Sequence, residues 1–250
     1  MNSVAVSLIV FACLFGGALL GISLRTILPA DQLSDESKRT MNMGLGLIGT
    51  MSALVMGLLV AAAADAYSTQ KKQLTQISGK FVLLDRLLAR YGPETSASRQ
   101  VMRGQVEGML DRLWSRESSK PSLRPSVIGT EDVYEDIQQL SPQDEAQRSI
   151  KAQALGVALD IANTRWLMFT QGSFQIQKTL LVVVTFWFGV VFTGFGLQGP
   201  RNLTVMVVLF FCALSVAGAI LLIQDLYNPF GGLIQIPSDP LRSAVEQLGK

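Results

Sequence analysis

The sequence predicts an all-α membrane protein: four transmembrane helices, with a helical extramembrane domain inserted between helices 2 and 3. Three observations predict this. Four blocks of about twenty residues carry no charged side chain. The region between the second and third blocks, 65–178, has the balanced charge of a water-exposed domain, with 15 Lys+Arg and 13 Asp+Glu. Its apolar residues recur every three or four positions, the period of a helix, with no strand-like alternation. The 250-residue chain is only 16% charged and has a mean hydropathy of +0.35, whereas soluble domains run nearer about 25% charged.

The first block, 3–24, is 22 residues long, enough at about 1.5 Å per residue to cross a hydrocarbon core of about 30 Å. No Lys or Arg precedes it and no small-residue cleavage site follows, so it is expected to be a span and not a signal peptide. The second block, 43–64, stops at Asp65. Blocks three (179–197) and four (203–223) are separated by Gln198-Gly199-Pro200-Arg201-Asn202, a turn that forces an antiparallel hairpin. Residues 1–64 and 179–223 thus form two hairpins, 65–178 the extramembrane domain, and 224–250 an interfacial tail. Lys71, Lys72, Lys80, Arg165, Lys178 and Arg242 lie on the side of the large domain, and Arg25, Lys38, Arg39 and Arg201 lie opposite. That excess makes the large domain cytoplasmic by the positive-inside rule.

Within the domain, Leu74, Ile77, Phe81, Leu84, Leu88 and Tyr91 form one helical stripe. No breaker separates them from the second span, so one long helix is expected to continue to Tyr91 and end at Gly92-Pro93. A second helix is expected near 95–117, with Met102, Val106, Met109, Leu110, Leu113 and Trp114 on one face. Residues 118–130 read as a linker. A further helix is expected to start at Ser141-Pro142-Gln143-Asp144, with Ser as the cap and Pro at the first position. Asn228-Pro229-Phe230-Gly231-Gly232-Leu233 cannot stay helical and is expected to turn the chain at the membrane surface.

The composition narrows the function. A net charge of +2 carries no excess for nucleic acid, and the absence of His removes His-based catalysis and His metal sites. Cys13 and Cys212 lie in apolar runs and read as small buried hydrophobes. Glu131, Asp132, Glu135 and Asp136 lack the twelve-residue Ca²⁺ loop and read as a solvated helix start. No phosphate loop or nucleophile elbow is present, so an enzyme is the poorest reading, and no cofactor or metal is expected. No charge lies inside a span, which disfavours a proton-coupled transporter more than a channel. Asp65 and Asp225 read as solvated span ends.

The second span has a small-residue face. Gly49, Ala53, Gly57 and Ala61 are four apart, with Gly46, Thr50, Val60 and Ala64 beside them. Such a face lets helices approach closely, either within the chain or around an oligomer axis. Gly17, Gly21, Thr185, Gly189 and Thr193 read as further packing positions.

Several strings carry a family resemblance. They are LLDRLLARYGPETSASRQVMRGQV (83–106), with Asp85, Arg86, Tyr91, Gly92 and Arg99; TRW (164–166), with Arg165 and Trp166; GFGLQGPRN (194–202); and DLYNPFGGLIQIPSDPLR (225–242), with Pro229, Phe230 and Gly232. The chain resembles the bestrophin-like integral membrane family of bacteria. The resemblance implies a homo-oligomeric channel of the inner membrane, five copies favoured, passing small ions, most readily anions, along a pore lined by the second span. Its implied partners are the lipid bilayer, copies of itself and the ions. The second span contains no Phe, unlike the phenylalanine-rich neck of bestrophins. The rival reading is a membrane-anchored scaffold or sensor that binds a partner through its helical domain.

Overall fold

A computed structural model describes residues 3–29, 34–114, 130–172 and 178–249. The elements are α1 (Ser3–Leu24), α2 (Asp35–Tyr91), a 3₁₀ turn (Pro93–Thr95), α3 (Ser96–Trp114), α4 (Thr130–Gln139), α5 (Glu145–Gly172), α6 (Lys178–Gln198), α7 (Leu203–Leu226) and α8 (Asp239–Gln247). No strand occurs among the described residues. Four helices, α1, α2, α6 and α7, are long and apolar enough to cross a membrane. The expected linker falls, but for Thr130, outside the described residues. The chain divides into two compact units, residues 1–66 with 175–227, and residues 67–174 with 228–250.

In the first unit α1 packs against α6 and α7. The α1–α6 contact is a backbone-to-backbone approach made possible by glycine. A Cβ on Gly21 would lie 2.1 Å from the Thr193 carbonyl oxygen, and one on Gly196 would lie 2.1 Å from that of Ala18. Gly17 meets Thr193 Oγ1 and the Gly189 carbonyl. Gly17 and Gly21 on α1 therefore meet Gly189 and Thr193 on α6, as expected of packing positions, where the absent side chains set the interaxial distance. On α7's side, Ser7 Oγ donates to the Ala217 carbonyl at 2.6 Å, and Phe11 and Phe15 meet Phe210 edge-on at 5.3 and 5.5 Å. Cys13 and Cys212, expected to be buried, are exposed. In an apolar helix, hydrophobicity does not separate a core position from an outward one, because both favour apolar side chains. Asp225 departs the other way: it is 3% exposed, near the end of α7.

In the second unit one core joins α2 beyond residue 66, α3, α4, α5 and the segment from Asn228. It includes Leu74, Ile77, Phe81, Leu84, Leu88, Met102, Val106, Ile161, Phe230 and Leu241. The long helix ends where the sequence requires. Gly92 takes φ 152°, and a Cβ there would lie 2.5 Å from Glu94 Oε2. Thr95 Oγ1 donates to the carbonyls of Leu88 and Gly92 at 2.6 and 2.9 Å. Gln147 Nε2 donates to the Tyr91 carbonyl at 3.0 Å. These bonds satisfy carbonyls that the helix end would leave open.

Two helix starts differ from expectation. α2 begins at Asp35, eight residues before the apolar block, because Ser34 Oγ accepts the Ser37 N–H and Asp35 and Glu36 occupy the positive end of the helix. α5 begins at Glu145 and its cap is Asp144, not Ser141. Asp144 Oδ1 accepts the Gln147 N–H at 2.7 Å, and Gln147 Oε1 accepts the N–H of Gln143, the residue before the cap, at 2.8 Å.

Candidate functional site

The apolar part of α2 has three faces. One turns into its own unit: Leu45, Ser52 and Ala63 are buried, Met56 packs on the apolar core of the unit, and Leu45 lies over Gly194 of α6. The second is the small face. Gly46, Thr50, Ala53, Gly57, Ala61 and Ala64 are all exposed, and Gly49 and Val60 at its edge are half-buried. The third carries Leu47, Met51, Leu54 and Leu58, exposed by 65%, 47%, 66% and 63%.

Intrachain packing does not account for the small face. An added Cβ at Gly46, Gly49 or Gly57 would meet nothing within 4 Å, whereas Gly17, Gly21 and Gly196 are filled by neighbours. The hydroxyls of this stretch are answered locally, Thr50 Oγ1 donating to the Gly46 carbonyl at 2.8 Å and Ser52 Oγ to that of Ile48 at 2.7 Å. Only 11% of the apolar window of α2 is buried, against 28% in α1, 33% in α6 and 28% in α7. α2 is the least covered of the four helices able to span.

The remaining motif residues lie in the second unit, where most build its frame. Asp85, 3% exposed, accepts a forked pair of bonds from Arg99, Nε to Oδ1 and Nη2 to Oδ2, each 2.8 Å. The Gly249 N–H adds a third at 3.3 Å. The hydrogen bond to Asp85 raises the pKa of Arg99 above its ordinary value, against the opposing effect of burial. Arg86 is exposed. Tyr91 is 3% exposed and its hydroxyl finds no hydrogen-bond partner among the described residues. Burial raises its pKa, and the carboxylates of Glu94 and Asp144 add to the rise. Burial lowers the pKa of Arg165, with the Arg112 guanidinium adding to the effect.

Trp166 is 58% exposed. Pro229 and Phe230 are buried and Gly232 is half-buried. Phe230 stands edge-on to Trp114 at 5.5 Å, and Trp114 Nε1 donates to the Ile236 carbonyl at 3.0 Å. The segment expected as a tail from 224 divides at Tyr227, and its later part belongs to this core. Of the acidic cluster, the side chains of Glu131 and Asp132 lie outside the described residues, Asp136 accepts from Ser98 Oγ at 3.0 Å, and Glu135 is exposed. No group of three metal-ligating side chains occurs among the described residues. Sequence reasoning missed Thr95 and Gln147 as caps. Thr two residues after a helix-ending Gly-Pro, and Gln three after Asp144, were the available signals.

Four apolar helices and a second helical unit define a multi-helix membrane protein. The family model for the bestrophin-like domain matches residues 12–241, and the chain belongs to that family. Two crystal structures of a bacterial bestrophin homologue from Klebsiella pneumoniae, each a single-residue variant, share its fold. One superposes with a TM-score of 0.66 at 13% identity, covering 96% of this chain and 97% of that one. The other gives 0.63 at 13% identity, covering 94% and 97%. No curated protein matches the sequence.

Proposed function

We propose that the chain forms a homo-oligomeric ion channel of the bacterial inner membrane, with α2 of each copy standing around a shared pore. α1, the apolar part of α2, α6 and α7 cross the bilayer, and the second unit stands on the cytoplasmic side. The observation that carries this reading is the exposure of α2. A helix this apolar, with its small face and its leucine face both uncovered, gains most when copies of itself cover it. Membership of the bestrophin-like family supports the same arrangement, and the resemblance favours five copies.

The small face, Gly46, Thr50, Ala53, Gly57, Ala61 and Ala64 with Gly49 and Val60 at its edge, would meet the neighbouring copy or the axis. Residues 43–64 bring no charge to the pore, so selectivity at that level would rest on the width and wetting of an apolar constriction. Anions are the favoured cargo through the family resemblance. Recording from purified protein in planar bilayers tests the proposal. Discrete conductance steps that change size with Gly57→Leu support it, and a silent protein across pH, Ca²⁺ and voltage contradicts it.

A further inference from the structure

At one end of the first unit, where α1 stops and the α6–α7 turn lies, two arginines meet. The Arg25 guanidinium donates to the Gly199 carbonyl, and Arg201 Nη2 reaches back to the Ile22 carbonyl at 3.5 Å. Each arginine is thus drawn onto the other's segment, and the two cations share one junction. Among the described residues neither has a carboxylate partner. A guanidinium has five N–H groups, so one carbonyl leaves most of them unanswered.

Two guanidiniums at one turn, with no carboxylate partner among the described residues, suit a multi-oxygen anion, because a forked guanidinium matches phosphate geometry. The junction closes the apolar runs of α1, α6 and α7 on one side. With those helices across a bilayer, it stands at the depth of the phospholipid headgroups, where phosphate is concentrated. We propose that Arg25 and Arg201 bind the phosphodiester of an anionic phospholipid and that this lipid clips the end of α1 to the α6–α7 turn. The proposal rests on the spanning part of the functional reading and not on conduction.

The test is the melting temperature of delipidated full-length protein in dodecyl maltoside, titrated with phosphatidylglycerol and, separately, with inorganic phosphate. The lipid should raise the melting temperature and inorganic phosphate should not. The Arg25→Gln/Arg201→Gln pair should move the lipid midpoint at least about ten-fold, as loss of a charge-assisted bond requires. The Arg25→Lys/Arg201→Lys pair, which keeps the charge but not the fork, should move it by a few-fold and carries the test if the glutamine pair does not fold. Lys38→Gln/Arg39→Gln, on the same side, should leave it unchanged. An unchanged midpoint in the glutamine pair (or in the lysine pair, where that carries the test), an equal shift in the Lys38/Arg39 pair, or an equal response to inorganic phosphate overturns the proposal. An unsubstituted protein whose melting temperature ignores the lipid while it still conducts in bilayers overturns this inference alone.

Discussion

Replacing Arg99 by methionine removes the forked donor from Asp85 and leaves a carboxylate that is 3% exposed with the Gly249 N–H as its remaining donor. The aliphatic stem is roughly retained, so the change isolates the charge pair. Removing one partner of a buried ion pair costs about 3–5 kcal/mol, because the survivor cannot recover its hydration. Arg99 keeps some solvent contact, its side chain being 18% exposed, and water entering that side would soften the loss, so about 3 kcal/mol is the expected value. That is a large share of a stability of about 5–15 kcal/mol. Asp85→Leu combined with Arg99→Met removes both charges and should recover much of the loss, since an apolar pair of similar volume is often no worse than the ions. Thermal and denaturant unfolding of the purified chain, followed by intrinsic fluorescence, supplies the four corners of the double-mutant cycle. A loss below about 1 kcal/mol for Arg99→Met, the range of exposed pairs, would refute the claim that the pair is buried and coupled.

Two further predictions follow from the same geometry. Gly21→Ala and Gly196→Ala should each lower the melting temperature strongly, overpacking of this kind costing about 1–3 kcal/mol or more, while Gly16→Ala on α1, where a Cβ meets nothing within 4 Å, should be near neutral; equal effects at all three would mean that α1 and α6 do not approach as described. Tyr91 has a pKa raised above 10.0, so the folded chain holds that proton more tightly than the unfolded one. Its contribution is complete below pH 10 and is lost as pH climbs through the folded value. Tyr91→Phe should therefore flatten the fall in stability above pH 10 and cost little at pH 7, and an unchanged alkaline limb would contradict the assignment.

Much of the architecture was legible in the residues. The length of the apolar blocks gave the four helices able to span, because a helix must remain apolar for about twenty residues to do so. The stripe from Leu74 to Tyr91 and the Gly92-Pro93 stop gave the long helix and its end, since each constrains the backbone locally. What escaped depended on three-dimensional neighbours. Asp225 looks like any span-end carboxylate, and only the packing of α7 makes it buried. Cys13 and Cys212 are indistinguishable from core residues by polarity. Asp144 displaced Ser141 as the cap because its carboxylate accepts the Gln147 N–H while the Gln147 side chain answers the N–H of Gln143, a contest between two acceptable residues that spacing does not decide. On α2 the residue types marked the small face, but that no described residue comes within 4 Å of a Cβ at Gly46, Gly49 or Gly57 is a property of the folded chain.

The most direct measurement is disulfide cross-linking in native membranes, with Cys13 and Cys212 replaced by alanine and one cysteine placed on α2 at Ala53 or Gly57. The account predicts rapid cross-links between copies at these positions and none from a cysteine at Phe186, an outward residue of α6 that is 66% exposed. Uncoupled single chains at both α2 positions, or equal cross-linking at Phe186, would contradict the claim that copies of α2 gather around a common axis.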